Sequence, residues 1–240
     1  MPDASKRLIG ILSTGRVNAA LVDRFGEYER LFRAILGPDR FSYRNYWVVD
    51  GELPHSPDEC DGWLITGSLH GAHEDHAWIR PLEAFIRSVR GSGRPLVGIC
   101  FGHQIMAQAL GGEVVKFDGG WALGIENYQS VADGEPVSAC AVHQDQVVMP
   151  PPGATTILAN DFCRHAALSY GREDEGEWAR SYQFHPEFEV AWVAALIDAR
   201  EGNGFDADTA ARGRKSLADM ADSDLSSAKI GHEIAAFLAG

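Results

Sequence analysis

Between Pro95 and Gly112 the chain passes without a spacer from an apolar run that suits a buried strand, Pro95-Leu96-Val97-Gly98-Ile99, into helical spacing over Phe101 to Leu110. Cys100 stands at the bend. The pentapeptide Gly98-Ile99-Cys100-Phe101-Gly102 has the form of a nucleophile elbow, G-x-S-x-G, with cysteine in place of serine. A residue on so sharp a turn sits in strained backbone, and side chains two positions to either side would collide with neighbouring segments. Such a unit belongs in an α/β fold, where strands feed directly into helix N-termini.

The rest of the first half agrees with that class. A strand is expected over Arg7 to Leu12, and a helix over Leu21 to Leu36, stopped by Gly37 and Pro38. A second strand follows over Phe41 to Val49, and a third, Trp63-Leu64-Ile65, ends at Thr66-Gly67-Ser68. A helix from Trp78 to Arg90 closes at Gly91-Ser92-Gly93. Strands alternating with helices predict a doubly wound, mostly parallel sheet with helices on both faces and ligands beyond the carboxyl ends of the strands.

After Gly112 short strands dominate: 113–117, 125–131, 138–142, 155–159, 166–170 and 178–184 form a smaller β-rich portion. From Val190 onward the pattern is helical, interrupted at Gly202 to Gly204 and around Asp222 to Asp224. With 240 residues, 45% of them hydrophobic, the chain is expected to form one domain over 1–240, with a core of about 7–190 and a helical extension of about 190–240.

The formal charge of -13 sets up a surface field that repels phosphate backbones and anionic headgroups, so neither nucleic acid nor membrane is an expected partner. Nothing in the sequence reads as a membrane span or a secretory leader, and a cytoplasmic location is expected. Cys60, Cys100, Cys140 and Cys163 are widely spaced and reduced by default, so neither a disulfide framework nor a zinc ribbon is indicated. Of the four, Cys100 alone has a special context. A helix N-terminus there favours thiolate over thiol.

The elbow turns the Phe101 amide toward an oxyanion formed on a carbonyl attacked by Cys100, and Gly67, after its apolar strand, is the candidate for the second donor. A base is still needed. Among nine histidines the best placed is His185, which follows Ser181-Tyr182-Gln183-Phe184 and precedes Pro186-Glu187. The proline biases His185 toward extended backbone, which sets the imidazole beside the Glu187 carboxylate at a strand end. Glu187 then holds the ring's tautomer while His185 moves the proton.

Gly98-Ile99-Cys100-Phe101-Gly102-His103-Gln104, followed by Phe184-His185-Pro186-Glu187, resembles the paired signature of class I glutamine amidotransferases. The likeness runs from about residue 7 to 190, with Gly62 to Ser68 and Val142-His143-Gln144-Asp145 in the expected order. It implies a flavodoxin-like architecture, Cys100 as nucleophile, His185 as base and acid, Glu187 as its orienting partner, and Gly67 with Phe101 as oxyanion donors. It further implies that Gln104 contacts the glutamyl group and that the main chain around His143 and Gln144 binds its amino-acid end, although many relatives carry glycine at the position of Gln144. No cofactor and no metal are implied.

The chemistry so implied is hydrolysis of the γ-amide of glutamine or a γ-glutamyl compound through a cysteine thioester. Two arrangements share it: a subunit supplying ammonia to a separate synthetase, or a self-sufficient γ-glutamyl hydrolase. A reading of another class is a non-catalytic module of the same fold that binds a γ-glutamyl ligand or regulates a partner.

His70-Gly71-Ala72-His73-Glu74-Asp75-His76 offers metal-ligand types at helical spacing, but its place between a strand end and a helix reads as capping and solvation, and no metal is expected. His103 lies in the helix behind Cys100 on another face, which suits a structural hydrogen bond. Trp121 and Tyr128 are candidates to line the pocket, although aromatic residues in a β-rich half read more readily as core. The segment Ser226 to Leu238, apolar at Ile230, Ile234, Ala235 and Leu238, reads as packing surface or a homodimer contact.

Overall fold

The computed structural model describes residues 6–172, 176–218 and 220–240. Along the first strands apolar side chains alternate, and the alternation decides which helices cover which face. Ile9 and Ile11 of β1 (Leu8–Leu12), Leu64 of β3 (Gly62–Ile65), and Val97 and Ile99 of β4 (Leu96–Ile99) join one buried cluster. Leu12, Trp63, Ile65 and Leu96 join another on the opposite face. The first is covered by α1 (Ala19–Phe25), α2 (Tyr28–Leu36), α5 (Val190–Arg200), α6 (Ala207–Leu217) and α7 (Ser227–Ala239), through Leu21, Phe32, Trp192, Ala210 and Ile234. The second is covered by α3 (Ile79–Arg90) and α4 (Phe101–Ala109), through Leu82, Ile86, Ile105 and Met106.

The parallel half runs in the order β2 (Ser42–Tyr46), β1, β3, β4, β11 (Gly176–Tyr182). From β11 the same sheet continues antiparallel through β10 (Ala167–Arg172), β9 (Ala154–Ala159), β6 (Ala122–Ser130) and β7 (Pro136–His143), giving nine strands among the described residues. The β-rich portion is thus an extension of the doubly wound sheet, and the whole is mixed. A separate pair is formed by β5 (Glu113–Lys116) and β8 (Asp145–Met149).

Three local differences from the sequence reading have simple causes. The helix expected over Leu21 to Leu36 is two helices, because Gly26 adopts φ +80 and ends the first while Glu27 starts the second. Strand β8 was not anticipated: it follows His143 after a single residue, too close for a turn signal to announce it. The second strand is shorter than Phe41 to Val49, since Val48–Asp50 turns as a 3-10 helix. At the C-terminus Ile230, Ile234, Ala235 and Leu238 are buried within the chain, with α7 lying over α2, β3 and β4, so the expected apolar face is packing surface. Among the described residues no helix is long and apolar enough to cross a membrane.

Candidate active site

Cys100 has φ 53 and ψ −102, the sole positive φ outside glycine among the described residues. The strained turn is over-determined by its surroundings. The Cys100 amide donates to the carbonyl of Tyr182 at 2.8 Å, and its carbonyl accepts from the Gln104 amide at 3.1 Å, so the residue ties β11 to the first turn of α4. A Cβ on Gly98 would lie 2.5 Å from the main-chain oxygen of Gly102 and from the Met106 sulfur, and one on Gly102 would lie 2.5 Å from the oxygen of Ile65. The two elbow glycines are therefore required by contact, as expected from the motif.

The turn delivers the thiol to the floor of a cleft of about 220 Å³, where it is 5% exposed. Beyond β11 the chain bends at Gln183-Phe184 and brings the imidazole of His185 to the same place, with the His185 amide donating to the Cys140 carbonyl at 2.8 Å. His185 Nδ1 lies 2.7 Å from Glu187 Oε1, and both side chains are buried. Burial works against a charged imidazole, but the Glu187 carboxylate and the Cys100 sulfur outweigh it and hold the His185 pKa above its ordinary value. The ring is clamped by stacking: its centroid is 4.1 Å from that of Phe188, which is 3.5 Å from that of Trp192.

Gly67 borders both groups. A Cβ there would lie 2.9 Å from His185 Cε1 and 3.7 Å from Cys100 Cβ. Phe101 opens α4, where its amide has no acceptor within the helix, and neither it nor the Gly67 amide enters any of the turn, loop and cap backbone bonds. Gln104 lines the cleft; its Nε2 donates to the Asp145 carbonyl at 2.9 Å and to Gln183 Oε1 at 3.3 Å. His143 and Gln144 also line it. Burial lowers the pKa of His143 to about 3, so its ring is neutral, and its buried Nε2 has no partner among the described residues. Gln144 donates through Nε2 to the Phe117 carbonyl at 3.3 Å.

Some residues of the cleft were missed by the sequence reading. Gln183 Nε2 donates to the Cys100 sulfur at 3.8 Å. Gln183 lies two residues before His185, but the chain bends between them and no motif marks it. Tyr28, Phe188, Trp192 and Arg200 also line the cleft; Phe188 and Trp192 follow the His185 motif closely but have no chemical signature of their own, and Tyr28 and Arg200 lie outside every motif. Trp121, read as core, is half-buried and lines the cleft, whereas Tyr128 is buried against Phe184 with ring centroids 5.0 Å apart. His103 is the structural residue expected, with Nδ1 2.7 Å from Ser181 Oγ.

At the cleft mouth the stretch after Gly67 folds into a polar cluster. His70 Nδ1 and His76 Nε2 approach Glu74 Oε2 at 3.3 and 2.6 Å, and the three ligand atoms lie within 4.8 Å of one another. These mutual hydrogen bonds account for the arrangement without an ion. His73 stands apart from that group, 3.5 Å from Asp145 Oδ2.

Comparison with known proteins agrees with this geometry. Gamma-glutamyl peptidase 2 of Arabidopsis thaliana is 30% identical over 188 residues, covering 73% of this chain and 74% of that protein. A GMP synthase (glutamine-hydrolyzing) of Bordetella avium is 31% identical over 140 residues, but these are 52% of this chain and 25% of the synthase. The crystal structure of a glutamine amidotransferase from Thermotoga maritima superposes with a TM-score of 0.71 at 20% identity, covering 97% of this chain and 99% of that one, a likeness of fold. The profile of the glutamine amidotransferase class-I family matches residues 48–191, from the end of β2 to the start of α5, and includes both the elbow and the His185 segment. The chain belongs to the class I glutamine amidotransferases, a family of enzymes.

Proposed function

We propose that the protein hydrolyses the γ-amide bond of γ-glutamyl compounds through a thioester on Cys100, with His185 and Glu187 completing the triad. The observation that carries the reading is the convergence of Cys100 and His185 in one cleft from segments far apart in the chain, with Glu187 bonded to the His185 ring at 2.7 Å. His185 takes the Cys100 thiol proton as the sulfur attacks the γ-carbonyl carbon, and the carbonyl electron pair moves onto the oxygen, facing the amides of Gly67 and Phe101. Collapse breaks the carbon–nitrogen bond as His185 gives its proton to the leaving nitrogen. Water then attacks the thioester, His185 takes its proton, and the thiol is restored with release of the glutamate half. Gln104 and the main chain near His143 and Gln144 hold the glutamyl group, and no cofactor or metal enters any step.

In this reading residues 1–240 work as one unit in the cytoplasm, a location that suits four free, buried cysteines. The self-contained hydrolase is the reading supported by the peptidase relative, whose match spans 73% of this chain and 74% of that protein. The alternative of a non-catalytic binding module conflicts with the intact Cys-His-Glu set.

The test is mass spectrometry after treatment with a glutamine-mimicking alkylator. Burial pushes the thiols of Cys140 and Cys163 up to about 12 and raises that of Cys60, so these three should stay unlabelled and Cys100 should carry one adduct. Equal labelling elsewhere, or full turnover by Cys100→Ser, would overturn the mechanism.

A further inference from the structure

Arg200, the last residue of α5, lies outside the matched family segment yet lines the cleft that holds Cys100. It is half-buried, and among the described residues no carboxylate pairs with it. The reason is local: the two acids nearest in sequence, Asp198 and Glu201, are both taken by Arg214, at 2.8 and 2.7 Å. Burial pulls the Arg200 pKa below its usual value, and the Tyr28 hydroxyl is the one group that offsets this. The guanidinium is held without an anion by aromatic faces, 5.8 Å from the Trp121 ring centroid and 4.8 Å from that of Phe205. Gly204 makes room for it, since a Cβ there would lie 2.6 Å from Arg200 Nη2.

In a protein of formal charge -13, an unpaired cation fixed in a cleft is a local pole for anions. The other cation lining the cleft, Lys116, is exposed and sits in the field of Asp145. The side of the cleft that Arg200 serves follows from α5. Trp192, Leu196 and Arg200 are spaced i, i+4 and i+8 and all line the cleft. Trp192 begins the row against Phe188, which stacks on His185. His185 delivers the proton to the leaving nitrogen, so the row starts where the leaving group starts. Eight residues of helix then carry it outward by about 12 Å, whereas Gln104, His143 and Gln144 belong to the glutamyl side.

We propose that Arg200 is a carboxylate-binding subsite for the leaving group, which directs the enzyme to γ-glutamyl peptides whose leaving portion ends in a free α-carboxylate rather than to free glutamine. An extended leaving peptide of two or three residues spans roughly 7–11 Å, which suits the distance along α5. The planar guanidinium accepts a carboxylate in a two-pronged hydrogen bond that lysine does not reproduce. This inference rests on the hydrolytic reading for its meaning, but its test does not require turnover.

The test compares a γ-glutamyl dipeptidyl acid with its C-terminal amide in calorimetric titrations of Cys100→Ala protein, with Arg200 intact or replaced. With Arg200 the acid should bind about 10- to 100-fold more tightly than the amide, the size expected for a charge-assisted pair. Arg200→Gln should bring the acid to the level of the amide, and Arg200→Lys should restore part of the difference. Equal binding of acid and amide with Arg200 present, no binding of either, or a preference that survives Arg200→Gln would overturn the subsite. A native protein that prefers the acid in binding yet releases no glutamate would instead overturn the hydrolytic reading and leave the subsite standing.

Discussion

Replacing Gly67 by alanine isolates the contact between the loop after β3 and the imidazole of His185. The backbone of Gly67 is not in the left-handed region, so alanine brings no strain of its own. Its Cβ, however, would lie 2.9 Å from His185 Cε1, and ordinary contact requires a retreat of about 0.5–1 Å. The ring has no free direction: Glu187 holds Nδ1 at 2.7 Å, Phe188 stacks at 4.1 Å, and the His185 amide is bonded to Cys140. A displacement of that size at a proton-transfer group costs about 10²-fold in rate, close to 2.7 kcal/mol of barrier. Overpacking of the site lowers stability by a further 1–3 kcal/mol at about the scale seen in tight cores.

Steady-state kinetics on a γ-glutamyl substrate should therefore show the loss mainly in kcat, with the variant still folded by thermal unfolding. The Gly67 amide survives the substitution, so the loss would come from the displaced ring and not from a missing oxyanion donor. Alanine at Gly98 differs in kind, because its Cβ meets the main-chain oxygen of Gly102 at 2.5 Å and no side chain can give way. That variant should fail in folding. If Gly67→Ala keeps kcat/KM within threefold of the native value, the clamped geometry of His185 does not govern the rate, and the reasoning fails.

Glu187→Gln should reduce kcat by roughly 10²–10⁴, since the amide no longer fixes the imidazole tautomer or stabilises its charged form. It should also lower the His185 pKa, because the Glu187 carboxylate raises it, and a kcat/KM pH profile unchanged from native would contradict this. Acid should destabilise the fold through His103 and His143, whose pKa values burial lowers from 6.5 to about 3. The unfolded chain binds those protons first, so stability is retained above pH 6.5 and lost as the pH falls below it. At pH 5 each contributes a loss of about 2 kcal/mol. Urea unfolding at pH 7 and pH 5 measures it, and His103→Asn should remove about half of the combined loss; an equal pH dependence in the variant would refute the assignment.

The elbow and the base segment were legible because each depends on local backbone chemistry. Glycine at 98 and 102 reports contacts of the turn with itself and with β3, and the two-residue spacing of His185 and Glu187 reports their hydrogen bond. The break at Gly26 was missed because it takes two residues, Gly26 with positive φ and Glu27 in extended backbone, too short an interruption to disturb the apolar spacing. The β-rich half was legible as strands but not as a continuation of the same sheet. Strand pairing depends on contacts between distant residues that a one-dimensional pattern does not contain.

The same distinction separates the catalytic groups from the groups that choose a substrate. Cys100, His185 and Gly67 sit where a parallel strand ends, so fold and motif predict their position together. Arg200 owes its part in the cleft to three circumstances set outside the motifs: Arg214 takes the nearby acids, Trp121 and Phe205 offer their faces, and Gly204 leaves room. Exchange of any one would leave the chemistry at Cys100 in place and change what reaches it. On the proposed role of Arg200, selectivity would rest on Arg200, Gly204, Phe205 and Arg214, all beyond residue 191 where the match to the family profile ends, together with Trp121 inside it.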